Sequence, residues 1–293
     1  MAQRQRMAKT VTIVSPIQST QTTRHMIIYH QAGRESAPRL AEHMNIPAMP
    51  AENALYMEER PPFLIRWGTS ARVRFRAPIT VNLRGSLLQY NNRGEQLGIL
   101  RDEGIRIPDF IEGEGRRIPK RWAHFYARNN IVGRQPTGGR GLSQLAHTGW
   151  HLLSEHDLSV KAIYKLRQFR VHVVGANTRI RELMSIGDLP SALGIWNLDS
   201  GFTYRVPVNA IPIGVRTQAI AAVSALRLDF GAVDIVYGHN TEPRQGPIRA
   251  YVIEVNTAPG LSEPTLSWYG DHLNRLVESR KSTTNLPSHQ ENG

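Results

Sequence analysis

Ala250-Tyr-Val-Ile-Glu-Val-Asn-Thr-Ala-Pro-Gly-Leu261 is an apolar run with one acid at its centre, Glu254, and a tight Thr-Ala-Pro-Gly turn straight after Asn256. A second run of the same make-up lies upstream, Gly231-Ala-Val-Asp-Ile-Val-Tyr-Gly238, with Asp234 as its single charge. Both read as strands, and the turn-rich GHNTEPRQGPIR between them reads as a hairpin loop. A lone carboxylate is seldom buried in a strand unless it is paired or binds a cation, because desolvating the charge is expensive. Glu254 and Asn256 stand two apart and therefore point to one face. A hairpin that brings Asp234 opposite them gathers three oxygen donors, the hard ligands that magnesium prefers. The alternative is that both acids answer arginines such as Arg170 or Arg227.

Outward from this pair, the alternation of Gln168-Phe-Arg-Val-His-Val-Val174 predicts a strand. Phe169, Val171 and Val173 take one face; Gln168, Arg170 and His172 take the other. Residues 214–229 carry Ala219, Ile220, Val223, Leu226 and Leu228 at helical spacing. Short strands are expected around 25–30 and 63–67, with a helix over Ser36 to His43 between them. Pro47, Pro50, Pro61 and Pro62 punctuate the rest of that region. Leu87, Leu88, Leu97 and Leu100 predict a helix over 85–104, interrupted near Asn91 and Asn92. The strand-like WAHFYAR (122–128) leads into a glycine-rich stretch ending Gly138-Gly-Arg-Gly141. Arg72, Arg74 and Arg76 alternate and would share one face of a strand, either as a solvated sheet face or as a binding stripe. The resulting class is α/β, beginning with alternating strands and helices. The expected units are an arm over 1–22, an α/β domain over 23–110, a second domain over 111–280 and a polar tail over 281–293.

Composition bounds the function. The 293 residues, 40% of them hydrophobic, suffice for a real core. Zero cysteines exclude disulfides, thiolate metal sites and a cysteine nucleophile. There is no run of about 18 apolar residues and no signal-like segment, so the expectation is a cytoplasmic protein without a membrane span. The net charge of +12 is lopsided: residues 1–150 hold 22 Lys+Arg against 11 Asp+Glu, the remainder 14 against 13. Such a field attracts nucleic acid, polyphosphate nucleotides or carboxylate substrates. No zinc-finger or aromatic-studded RNA-binding motif speaks for nucleic acid as the main partner.

The stretch Ile253–Leu261 together with Asp234 resembles the metal-binding end of the ATP-grasp enzymes, nearest the D-alanine–D-alanine ligase and RimK-like branches. Gln168-Phe-Arg-Val-His-Val is similar to a strand of phage and bacterial ligase-like members, and the likeness extends over about 60–270. It implies an ATP-grasp fold, a small N-terminal α/β domain followed by two subdomains clasping ATP. It also implies formation of an amide from a small-molecule or peptide carboxylate and an amine, through an acylphosphate. Asp234, Glu254 and Asn256 would hold magnesium, or manganese in its place. Arg93, Arg128 and the Gly138, Gly139 and Gly141 loop would meet the phosphates. Lys161 to Tyr164 would meet adenine, Gln168 the ribose, and Arg170 would clamp the transferred group or the carboxylate. His172 would point into the same cleft or serve as a hydrogen-bonded structural histidine. Asn197 would line the cleft or close a turn.

Three departures shape this reading. Gln168 replaces the glutamate of the family, Arg93 stands where a lysine is frequent, and Ala232 stands where D-alanine ligases carry an arginine. The last argues against a true D-alanine ligase and for the RimK-like, phage-type group. Two rival functions remain open on the sequence: a phosphotransferase on the same fold, and a degenerate nucleotide- or nucleic-acid-binding protein.

Overall fold

The computed structural model describes residues 26–29, 35–56, 61–73, 77–88, 93–113, 116–129, 142–146, 157–187, 191–240 and 246–284. Near the N-terminus, β1 (Met26–Tyr29), β2 (Ala48–Pro50), β3 (Phe63–Trp67) and β4 (Ile79–Val81) form a parallel sheet in the order β2-β1-β3-β4. Parallel neighbours need a crossover, and α1 (Ser36–His43) supplies the one between β1 and β2. It buries Ala37, Leu40 and Ala41 on its inner side. All five residues of β3 are buried, Arg66 included among four apolar ones, as in a strand covered on both faces. The strand expected through Arg72 is absent: residues 71–73 are irregular and Arg72 is exposed. Arg66 donates through Nη1 to the carbonyl of Ala71 at 2.7 Å, and Ala71 N–H donates to Thr69 Oγ1 at 3.1 Å. These bonds fold the segment back after β3. Arg74 and Arg76 lie outside the described residues.

The central sheet is antiparallel, in the order β11-β10-β9-β12-β13. Its strands are β9 (Tyr164–Val174), β10 (Asn177–Ser185), β11 (Phe202–Arg205), β12 (Phe230–His239) and β13 (Arg249–Asn256). One face packs Phe169, Val171, Val173, Val233, Ile235, Val252 and Val255 against helices. Those helices are α2 (Arg84–Leu88), α3 (Arg93–Asp102) and α4 (Val215–Ala225), which add Leu87, Leu100, Ala219 and Val223. The helix read over 214–229 stops at Ala225 because Arg227 takes a left-handed φ of 52°. Leu226 and Leu228 still reach the core. The break expected near Asn91 and Asn92 falls outside the described residues.

β13 carries an irregularity. Asp234 pairs with Glu254, whereas the next residue, Ile235, pairs with Val252, which leaves Ile253 as an extra residue. Ala250 and Val252 face the helices, Tyr251 and Ile253 face the other way, and Val255 faces the helices again. Plain alternation from Val252 would have driven Glu254 into that apolar core. The bulge puts it on the opposite face, beside Asp234.

A third sheet, antiparallel in the order β5-β8-β6-β7, comprises β5 (Phe110–Glu112), β6 (His124–Asn129), β7 (Leu142–Ala146) and β8 (Asp157–Lys161). It is inserted between α3 and β9, with entry and exit side by side: Lys161 N–H donates to the carbonyl of Asp109 at 2.8 Å. The last described element is α5 (Thr265–Thr284), which sequence reading left unassigned and which runs past Arg280 into the stretch read as tail. Its Leu266, Tyr269, Leu273 and Val277 pack on Ile27, Leu40, Trp67 and Phe230. Among the described residues no helix is long and apolar enough to cross a membrane.

Candidate active site

The outer face of the central sheet collects the charged residues. Asp234 is opposite Arg170 of β9 on one side and Glu254 of β13 on the other. Arg170 Nε donates to Asp234 Oδ1 and Nη2 to Oδ2, both at 2.8 Å, a two-pronged fork. Arg93, at the start of α3, grips Glu254 in the same way, Nη1 to Oε1 at 2.8 Å and Nη2 to Oε2 at 3.0 Å. Both acids therefore do answer arginines, and the second partner is Arg93 rather than Arg227. Burial works to strip the charge from Arg170, but Asp234 overrides it and holds the guanidinium above its ordinary pKa. The ring of Tyr204 (β11) lies 4.6 Å from the Arg170 guanidinium carbon. Burial raises the Tyr204 hydroxyl pKa well above the usual range.

His172 is buried two residues further along β9. Its Nδ1 lies 3.3 Å from the Tyr269 hydroxyl, and the two rings meet edge to face. Burial first, then Arg170, Arg181 and Arg179, push its pKa down to about 3, so the ring stays neutral. His172 is thus hydrogen-bonded within the fold and also lines a cavity beside Arg170. Asn256 shares the face of Glu254, and its Oδ1 accepts the Ala258 N–H at 2.9 Å, closing the turn that follows β13. Asn197 is a turn residue: its Oδ1 accepts from Ser200 N–H at 2.8 Å.

The remaining predicted residues sit between the two antiparallel sheets or beyond the described chain. Lys161 and Tyr164 flank the short passage from β8 to β9, and Lys161 Nζ donates to the carbonyl of Asn240 at 2.6 Å. Tyr164 and Gln168 are buried, with Gln168 opposite Val236 and on the face of Arg170. The backbone of Arg128 lies in β6 opposite Leu142 and Leu158, and its side chain is outside the described residues. Gly138, Gly139 and Gly141 are outside them as well. Sequence reading missed Lys165. Its Nζ donates to Tyr126 OH at 2.9 Å and to the Gly194 carbonyl, beneath the rings of Tyr126 and Trp196. Burial lowers its pKa to about 7. Nothing in its sequence neighbourhood signals those partners, which come from another sheet and a distant loop.

Among the described residues no three His, Cys, Asp or Glu side chains cluster as a metal site. The oxygen set is two carboxylates and one amide, and an ionised carboxylate offers about four lone-pair positions. A guanidinium fork occupies one position on each oxygen, so Asp234 and Glu254 both keep acceptor capacity. The donor chemistry fits a hard divalent cation that completes its shell with phosphate oxygens.

No protein-family model matches the chain, and no curated protein does. Solved structures do. D-alanine–D-alanine ligase from Bacillus anthracis superposes with a TM-score of 0.61 at 15% identity, covering 87% of this chain and 96% of its own. The ATP-grasp ligase PsnB, solved with a phosphomimetic variant of its minimal precursor, Mg and ADP, gives 0.60 at 11% identity over 87% and 99%. The RiPP-associated ATP-grasp ligase of Chryseobacterium gregarium, solved with ADP and a leader and core peptide, gives 0.54 at 13% identity over 87% and 97%. The α/β class expected from the sequence is met: the chain has the ATP-grasp fold.

Proposed function

We propose that the protein is an ATP-dependent carboxylate–amine ligase of the RimK-like, phage-type group that works with magnesium. The observation that carries the reading is the placement of Asp234 opposite Glu254, on the sheet face to which β9 turns Gln168 and Arg170. The likeness to a D-alanine–D-alanine ligase complexed with ATP and to a ligase complexed with Mg and ADP supports the nucleotide and the cation. The cation, held by Asp234, Glu254 and Asn256, would neutralise charge on the phosphates during transfer.

The chain's own residues do the rest. Arg93 and Arg170 already touch the two acids, so they are positioned to offer donors to phosphate or carboxylate oxygens brought between them. Arg128 and the loop with Gly138, Gly139 and Gly141 would cover the phosphates, small residues allowing close backbone approach. Backbone groups of Lys161 to Tyr164 would receive adenine, and the Gln168 amide the ribose hydroxyls. A carboxylate oxygen would attack the γ-phosphorus as ADP leaves, giving an acylphosphate; the amine nitrogen would then attack the acyl carbon, expelling phosphate and losing a proton to leave the amide.

The test is ADP release with ATP, magnesium and a panel of carboxylates and amines, for wild type and Glu254→Ala. Product mass must show the amide rather than a phosphorylated substrate. An ADP yield unchanged in Glu254→Ala would overturn the cation assignment.

A further inference from the structure

Beside the Arg170–Asp234 fork lies a cavity of about 180 Å³, lined by Arg170, His172, Arg181, Tyr204 and the turn from Gly260 to Thr265. Its lining carries two guanidiniums, Arg170 and Arg181, and one carboxylate, Glu263. Arg170 is taken up by Asp234. Arg181 stands directly across from Arg170 on β10, and Arg179 directly across from His172, so both share the cavity's face of the sheet. Among the described residues neither has a carboxylate partner. Among the described residues Arg181 donates to Thr265 Oγ1, at 3.2 Å, and the buried Nε of Arg179 has no hydrogen-bond partner. Burial and the neighbouring Arg179 both disfavour the charge on Arg181. Of the nearby acids, Glu182 pairs with Arg167 at 2.6 Å and Glu254 with Arg93, while Glu263 lines the cavity and accepts the Ser267 hydroxyl at 2.7 Å. The cavity also abuts the first residue of the 20-residue α5, whose N-terminal end carries positive partial charge. Two adjacent, partly buried arginines that lack a carboxylate partner among the described residues are suited to a ligand that supplies one.

We propose that this cavity binds a second anionic group of the carboxylate substrate, so that the substrate is a dianion: a short dicarboxylate, or an acidic residue presented with a second carboxylate. The proposal rests on the ligase reading for the identity of the reacting carboxylate, which lies toward Arg170. The distal anion is held by Arg181, which lines the cavity, with Arg179 two residues along β10 on the same face. A monocarboxylate leaves these two guanidiniums unanswered and binds correspondingly worse. Thr265, whose hydroxyl now accepts from Arg181, is released when the anion takes its place.

Titration calorimetry of glutarate and of butyrate, at matched ionic strength, tests this on wild type, Arg181→Gln, Arg179→Gln and Arg181→Lys. ADP with magnesium is titrated in parallel. Wild type should bind glutarate about tenfold or more tightly than butyrate, one charge-assisted contact's worth. Arg181→Gln should bring the two ligands to within about twofold, Arg179→Gln should reduce the preference, and Arg181→Lys should retain part of it. ADP–magnesium affinity should not change in any variant. Equal affinities in wild type, or a preference that survives both glutamine substitutions, overturns the dianion site. Absence of ADP–magnesium binding alongside a full glutarate preference would overturn the ligase reading and leave the anion site standing.

Discussion

Asp234 and Arg170 hold one another through two hydrogen bonds in side chains that are 10% and 21% exposed. Removing one member strands the other, which costs about 3 kcal/mol for a pair this enclosed. Asp234→Asn should lower unfolding free energy by that amount in urea, whereas Arg101→Gln, which breaks an exposed pair, should change it by less than about 0.5 kcal/mol. His172 gives a pH signature of defined sign. Its folded pKa of about 3 lies below the value of about 6.5 expected of the unfolded chain. Below that value the unfolded state takes up a proton the fold refuses, so stability is full above pH ~6.5 and falls as pH drops toward 3. Between pH ~6.5 and ~5 the loss is about 2 kcal/mol. His172→Asn should shrink it by that much in denaturation curves taken at the two pH values. At this scale much was legible. Two-residue spacing put Glu254 with Asn256, and Gln168 with Arg170 and His172. The Arg93–Glu254 fork was not, since its partners are 161 residues apart and only the packing of α3 joins them.

Among the elements, β13 has the strictest geometric demand. The extra residue Ile253 lets Glu254 and Val255 take opposite faces from those that alternation after Val252 would impose. Deleting Ile253 restores plain alternation and leaves Glu254 on the face of Asp234. That variant should fold, with a loss of about 1–3 kcal/mol for the missing side chain. Inserting an alanine between Glu254 and Val255 turns Val255 outward and Asn256 into the core, and should leave no cooperative transition by circular dichroism. Among the other elements, β9 announced itself through clean alternation, and the acid-centred runs through their apolar neighbours. The bulge could not be read, because Ala250 to Val255 is apolar on both faces. Helix α5 was missed for the opposite reason. Its buried residues Leu266, Tyr269, Leu273 and Val277 are diluted by the polar residues between them and emerge as a face only against the N-terminal sheet.

Across the whole molecule, α5 is the bolt between the first sheet and the site. Tyr269 touches Trp67, Phe230 and His172, and its hydroxyl donates to the Gly231 carbonyl at 3.2 Å. Tyr269→Ala should cost about 3–5 kcal/mol and lower the melting temperature. Tyr269→Phe should cost about 1 kcal/mol while keeping the packing. The overall class was readable from the order of strand and helix patterns, but the pairing of sheets was not, because β7 and β8 surround a long stretch without periodicity. The third sheet enters at Asp109 and leaves at Lys161, and these two residues are hydrogen-bonded to each other. In the logic of chain assembly it is therefore a cassette on a single stem. Cutting there and rejoining the stem spares every strand pairing of the central sheet. A corresponding cassette from another ATP-grasp chain can be sutured at the same two residues. Among the stitches it must keep are a hydroxyl in place of Tyr126, without which the buried amine of Lys165 loses its side-chain acceptor, and the Lys161 amine that donates to the Asn240 carbonyl.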